Sequence, residues 1–287
     1  MNIKEILALG RPSVSFEVFP PKKDAPFAPV ASAVERLCAA KPSFMSVTYG
    51  AAGSANANTL AVARHVQECG IPALAHLTCL TSPPERIEGE LDALAGAGIR
   101  NILALRGDPP ASGPIPQGCF AHASDLVAVI RKRGLFAIGG ACYPECHPEC
   151  AHISDDIANL KVKVDAGLDF LTTQMFFDNG VYFHYLSRLR SAGITIPVIA
   201  GIMPVTNGRQ IKRICQLSGT YLPPRFRSIV DRFGDSPAAM LDAGVAYATE
   251  QIIDLFANGA DAVHVYTMNR PETGERIMRN LESILAG

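Results

Sequence analysis

The stretch Ile99-Arg100-Asn101-Ile102-Leu103-Ala104-Leu105-Arg106-Gly107-Asp108-Pro109 decides the fold. Its apolar part reads as a buried strand, so Arg106 and Asp108 fall just past a strand's C-terminal end. Two other apolar segments carry polar groups in the same way. Val14-Ser15-Phe16-Glu17-Val18-Phe19-Pro20-Pro21 holds a lone carboxylate, and Leu171-Thr172-Thr173-Gln174-Met175-Phe176-Phe177-Asp178 an amide. Polar groups at the C-terminal ends of several strands are what the mouth of a (β/α)8 barrel enzyme needs.

Working outward, strand and helix patterns alternate along the chain. Apolar runs bounded by Gly, Pro or Asn predict strands over 14–19, 44–49, 73–79, 99–105, 135–142, 168–175, 195–202 and 261–267. Helical spacing occupies 28–40, 55–69, 84–97, 122–133, 151–166, 180–192 and 206–217, several stretches ending at a glycine suited to a left-handed cap. This α/β alternation predicts a single (β/α)8 TIM barrel over 1–287, one domain, whose long seventh connection (204–259) carries an extra helix near 237–257.

Composition excludes several classes. With 48% hydrophobic residues, a net charge of −1 and no basic tract, the chain has neither the charge to hold nucleic acid nor that to hold an anionic membrane. No run approaches the ~18 apolar residues of a membrane span, and the start lacks a signal peptide's apolar stretch. Eight cysteines in such a chain read as reduced thiols, so a cytoplasmic protein is expected. No Gly-x-Gly-x-x-Gly follows a strand, and neither a P-loop nor a Gly-x-Ser-x-Gly elbow occurs, so any nucleotide cofactor must sit at the barrel mouth.

Collected at the predicted strand ends are Glu17; Thr48 and Tyr49; His76 and Thr78; Arg106 and Asp108; Tyr143; Gln174; and Tyr266, Asn269 and Arg270. Glu17, flanked by Phe16, Val18 and Phe19, should have its pKa raised by apolar surroundings, which suits a general acid. The alternative is a structural ion pair with a rim arginine. In helix 151–166 Asp156, Asn159 and Lys163 form a polar stripe beside a core stripe, and its first turn is placed to reach the mouth, although a solvated face would read the same. Cys142, Cys146, His147, Cys150 and His152 resemble zinc ligands, but no second knuckle is present and Pro144 and Pro148 break the spacing. No metal is expected.

Together these motifs resemble the methylenetetrahydrofolate reductase family, in its short bacterial form. They are Ser15-Phe16-Glu17-Val18-Phe19-Pro20-Pro21, Ser46-Val47-Thr48-Tyr49-Gly50-Ala51, His76-Leu77-Thr78-Cys79, Ala104-Leu105-Arg106-Gly107-Asp108, Tyr143-Pro144-Glu145-Cys146-His147-Pro148-Glu149, Thr173-Gln174-Met175-Phe176-Phe177-Asp178, Gly201-Ile202-Met203-Pro204-Val205 and His264-Val265-Tyr266-Thr267-Met268-Asn269-Arg270. The resemblance implies non-covalent FAD, NADH or NADPH as hydride donor, and a folate substrate reduced to 5-methyltetrahydrofolate for methionine synthesis. It implies that Glu17 is the general acid, that Asp108 is a carboxylate near flavin and pterin, and that Gln174 contacts both substrates. It places Tyr266 and Arg270 with the folate, Arg270 facing the glutamate tail. Flavin contacts are implied for Thr48, His76, Leu105, Arg106, Gly107, Asp108, His122, Ala123, Tyr143, His147, Asp156, Asn159, Lys163 and Tyr266, and association into a homo-oligomer is implied too. The pattern differs at His122, where the family has tyrosine, at Val162, where a basic residue often precedes Lys163, and in the uncharged loop Ala52-Gly53-Ser54-Ala55-Asn56-Ala57-Asn58. A non-redox pterin-binding barrel would share the acidic site but not the flavin positions, and a non-catalytic barrel would have no use for a buried Glu17.

Overall fold

The computed structural model describes residues 2–22, 24–49, 56–110 and 113–286. Eight parallel strands close in sequence order into a barrel: β1 (Ser13–Val18), β2 (Met45–Val47), β3 (Ala73–Thr78), β4 (Asn101–Leu105), β5 (Ala137–Cys142), β6 (Phe170–Thr173), β7 (Val198–Ile202) and β8 (Ala262–Tyr266). Helices α2 (Ala28–Ala39), α3 (Asn56–Glu68), α4 (Pro84–Gly96), α5 (Ala123–Lys132), α6 (Ile153–Asp165) and α7 (Asn179–Ser191) fill the first six connections. The expected (β/α)8 architecture is therefore present.

Alternation along each strand divides the core in two. On β1, Val14, Phe16 and Val18 join the layer between sheet and helices, which leaves Ser15 and Glu17 on the opposite, barrel-interior face. The bottom of the interior is apolar, built from Phe44, Leu74, Leu103, Phe170, Ile199 and Ala262, and closed by Ile3 and Ile6. Those two belong to α1 (Ile3–Leu7), a short helix that sequence periodicity does not reveal. Its start is fixed by a capping box, Asn2 Oδ1 accepting from Glu5 N at 2.9 Å and Glu5 Oε2 accepting from Asn2 N at 2.8 Å. The buried Asn101 side chain accepts from Ile3 N at 2.9 Å and donates to Ala73 O at 3.0 Å, tying this plug to β3 and β4.

The seventh connection carries three helices: α8 (Gly208–Ser218), α9 (Pro224–Phe233) and α10 (Pro237–Ala257). The sequence reading lacks α9, although Phe226, Ile229, Val230 and Phe233 recur there at helical spacing; its buried residues are Phe226 and Val230. These two pack with Met175, Phe177, Val205 and Met240 in a separate cluster beside the mouth. After β8 come α11 (Pro271–Asn280) and α12 (Glu282–Leu285), also absent from the sequence reading. Several strands are shorter than expected, β2 and β6 most of all, because their last apolar residues leave the ladder and turn into rim loops. Thr48, Tyr49, Gln174 and Met175 thereby sit past the strand ends.

Candidate active site

At the C-terminal end of the barrel a cavity of about 280 Å³ is lined by Glu17, Thr48, His76, Leu105, Tyr143, Gln174 and Tyr266, with Thr173, Met203 and His264 deeper or beside them. Seven of the sequence-predicted residues therefore share one space. Parallel register explains why: Glu17 sits opposite Ser46 on β2 and Tyr266 on β8. Six strands, β1, β2, β3, β5, β6 and β8, then contribute polar groups to one layer at or just past their ends, above the apolar bottom.

Glu17 is 8% exposed. Burial pushes its carboxyl up to about 8, with Ser46 Oγ, 3.4 Å from Oε2, acting in the opposite direction if it donates. The alternative of an ion pair with a rim arginine is not realised. Arg106 instead makes a bidentate pair with Glu149, both contacts 2.6 Å, while Glu17 faces His76 Nε2 at 3.7 Å and His264 Nε2 at 3.9 Å. Both imidazoles are driven down to about 3, His76 by burial and His264 by burial with His76 beside it, so neither carries a compensating charge. With no cationic partner and a value pushed up to about 8, the Glu17 carboxyl is mainly protonated at pH 7.

Tyr266 donates to the Thr173 carbonyl at 2.6 Å, which holds its ring across the cavity. Gly201 on β7 makes room for it. A Cβ there would lie 2.6 Å from Tyr266 Oη and closer still to the Thr173 carbonyl. Gly201→Ala should therefore cost roughly 1–3 kcal/mol of stability through overpacking, read as a lower urea midpoint. An unchanged midpoint would show that Tyr266 moves aside without penalty.

A second group lies beyond Tyr143. Its ring meets His147 edge-on, centroids 4.6 Å apart. His147 N donates to Asp156 Oδ2 at 3.1 Å, which accounts for a buried carboxylate on the first turn of α6. Lys163, one face along, donates to the Ala141 carbonyl at 2.5 Å, and burial lowers its ammonium pKa. The Asp156–Lys163 stripe is thus not a solvated face, although Asn159 within it is exposed. Gly107 takes φ +82°, and a Cβ would press on Thr78 at 3.0 Å, so glycine is needed where the β4 loop crosses β3.

Other predicted positions lie farther out. His122 and Ala123 begin α5, His122 N donating to Asp125 Oδ2 at 3.2 Å. Asp108 and Arg270 are exposed at the rim, Arg270 at the start of α11. Asn269, collected with them, turns inward: its amide accepts from Phe19 N at 2.8 Å and donates to Phe19 O at 2.9 Å, clamping the β8 loop to β1. Residues 50–55, which include the end of the Ser46–Ala51 motif and most of the uncharged loop, lie outside the described residues. Among the described residues no three His, Cys, Asp or Glu side chains are grouped to hold a metal ion. All eight cysteines are free thiols, and burial pushes Cys142 up to about 12.

Sequence reasoning missed Ser15, Ser46 and His264 as site members. The signal was available, since they stand two residues from Glu17, Thr48 and Tyr266 and so share their inward faces.

Fold and rim together define a barrel of the ligand-binding, enzymatic type, with a neutral carboxyl in a mixed apolar and polar mouth. A sequence model described as methylenetetrahydrofolate reductase matches residues 2–282. The 5,10-methylenetetrahydrofolate reductase of Escherichia coli K12 is 36% identical over 274 residues, covering 95% of this chain and 91% of that protein. Methylenetetrahydrofolate reductase (NADH) 1 of Zea mays is 36% identical over 296 residues, covering 98% of this chain and 50% of that protein. The chain thus spans about half the length of the plant relatives it matches. In structure it is similar, at a TM-score of 0.67 and 13% identity over 99% of this chain and 98% of the other, to a Clostridium thermocellum protein described as binding two copies of 5-methyl-5,6,7,8-tetrahydrofolic acid; that likeness concerns the fold. This chain belongs to the methylenetetrahydrofolate reductase family.

Proposed function

We propose that this protein reduces 5,10-methylenetetrahydrofolate to 5-methyltetrahydrofolate with NADH or NADPH, the two substrates meeting one FAD in turn, in the cytoplasm and as a homo-oligomer, for methionine synthesis. The observation that carries the reading is Glu17: a buried carboxyl pushed up to about 8 at the mouth cavity, within a layer of side chains at the family's motif positions.

The residues present fit the flavin. His76 Nε2 is buried without a hydrogen-bond partner and lines the mouth cavity, so a ligand group has an orphaned atom to satisfy. Arg106, paired outward to the exposed Glu149, and Lys163 supply positive charge near the mouth for a diphosphate. Tyr143 and His147 offer adjoining aromatic faces. Thr48, Leu105, Gly107, Asp156, Asn159, His122 and Ala123 complete the set by motif match. Bound FAD would supply a two-electron carrier between nicotinamide and folate.

The chain's own residues handle the proton. Glu17 gives its proton to the ring nitrogen of the folate that leaves, the C–N bond breaks with its electron pair staying on that nitrogen, and the remaining iminium carbon takes hydride to become the methyl group. Asp108 lends negative charge to that cation, Gln174 presents an amide to each substrate in turn, Tyr266 packs against the folate and Arg270 faces its glutamate tail.

The purified protein should be yellow, release FAD on denaturation, and oxidise NADH or NADPH in the presence of methylenetetrahydrofolate. Colourless protein that takes up no added FAD but binds a reduced folate would replace this reading with that of a non-redox pterin carrier.

A further inference from the structure

Beneath Glu17 a chain of buried polar groups crosses the barrel interior, and its protons can be counted. Ser15 Oγ lies 3.0 Å from the Val263 carbonyl oxygen and 2.7 Å from His264 Nδ1. His264 Nε2 lies 2.9 Å from Ser46 Oγ, which lies 3.4 Å from Glu17 Oε2. All four side chains are buried. Strand register sets Ser15 opposite His264 and Glu17 opposite Ser46, and Phe44 stacks on the imidazole at 5.6 Å and 11°, so the ring plane is fixed.

Each hydroxyl has one proton, the neutral imidazole has one, and the Val263 carbonyl has none. Two polarities run in one direction along the whole chain, and any mixed one leaves a contact without a proton. In the first, Ser15 donates to Val263 O, His264 Nδ1–H to Ser15, Ser46 to His264 Nε2, and the carboxyl of Glu17 to Ser46. All four contacts then hold a proton, and Glu17 must be protonated. In the second, Ser15 donates to Nδ1, Nε2–H to Ser46, and Ser46 to Glu17. That leaves the Ser15 and Val263 oxygens facing each other at 3.0 Å with no proton between them. The first arrangement satisfies more groups.

We infer that Ser15, His264 and Ser46 are positioning residues: a one-way hydrogen-bond chain, anchored on the Val263 carbonyl, presents Ser46 to Glu17 as an acceptor and holds Glu17 as the acid. The other titratable groups facing Glu17 add no charge that would do this instead. His76 on β3 is neutral, and Tyr143 after β5 and Tyr266 on β8 are pushed upward, Tyr143 to about 12, mainly by burial. The chain's polarity stands on the geometry alone; its catalytic purpose rests on the function proposed above.

The test uses full-length protein with its cofactor, with carbon-13 in the glutamate carboxyls and nitrogen-15 in the histidines. Glu17 is assigned as the resonance missing from Glu17→Gln. In the wild type, His264 should carry its proton on Nδ1, and Glu17 should titrate near 8. Ser46→Ala should lower that titration by up to about one pH unit, the Ser46–Glu17 contact being the longest of the four. Ser46→Thr should restore it. Ser15→Ala, which does not touch Glu17, should shift it downward too by freeing the imidazole tautomer. A wild-type proton on Nε2, a titration raised in Ser46→Ala, or no change in either alanine variant would overturn the inference. The wild-type tautomer and Ser15→Ala decide the matter even if Ser46→Ala fails to fold. None of these readouts requires turnover, so a protein that shows the expected titrations yet never reduces methylenetetrahydrofolate would refute the proposed function and leave the chain standing.

Discussion

Replacing Glu17 with glutamine is expected to leave reduction of the bound flavin by NADH or NADPH close to wild type, while reoxidation by methylenetetrahydrofolate slows at least ~10²-fold, the usual scale for losing a general acid. Glutamine keeps the shape and most of the packing against Ser46, His76 and His264, and removes the transferable proton. Hydride donation by the nicotinamide needs no acid there, whereas a ring nitrogen cannot leave as an amide anion. Stopped-flow measurement of each half-reaction separates the two, and a variant that reoxidises at the wild-type rate takes Glu17 out of the mechanism. The pH dependence has a definite sign. The folded-state value is raised from 4.5 to about 8, so the proton is available at neutral pH and the folate step should fall as pH rises through about 8. A carboxyl raised on folding contributes stability that is present below its ordinary value and lost as pH rises through the folded one. Glu17→Gln should therefore flatten any loss of stability between about 4.5 and 8.

The barrel and its mouth were legible in the sequence because both depend on short-range patterns. Apolar runs gave the eight strands, and the apolar neighbours Phe16, Val18 and Phe19 marked Glu17 as a carboxyl in apolar surroundings. What could not be read depended on pairing between distant segments. The spacing of two puts Ser15 and Ser46 on the inward face, but only register shows that they meet the two nitrogens of His264. Arg106 appears free to pair with Glu17 until the loop after β5 brings Glu149 to it. Asn269 reads as a rim ligand, yet its amide closes the β8 loop onto Phe19. Helix α1 escaped because five residues are too few for a period to repeat, whereas α9 carried a legible signal in Phe226, Ile229, Val230 and Phe233.

Asp108→Asn should slow flavin reoxidation by methylenetetrahydrofolate by about 10²–10³-fold, the scale for removing one preorganised electrostatic contact, while FAD stays bound and reduction by the nicotinamide changes little. The folate iminium is a full cation before hydride reaches it, whereas the nicotinamide becomes positive only as its hydride leaves, so a carboxylate beside the pterin would favour the folate step more. The rim geometry favours such a charge. Arg106, two residues away, is taken up by both oxygens of Glu149, which leaves Asp108 with no direct ion pair among the described residues. The left-handed Gly107 turns the β4 loop between them, although the Asp108 charge still acts on Arg106 through space. An arginine held by Glu149 leaves the Asp108 carboxylate open to a cationic group. If Asp108→Asn slows both half-reactions equally, its charge acts on flavin binding or potential and not on the folate cation. If it slows neither, the exposed carboxylate lies too far from the reacting carbon to matter. The double variant Glu149→Gln, Asp108→Asn adds a control: freeing Arg106 places an unpaired positive charge at the rim, and the folate half-reaction should fall below that of Asp108→Asn alone.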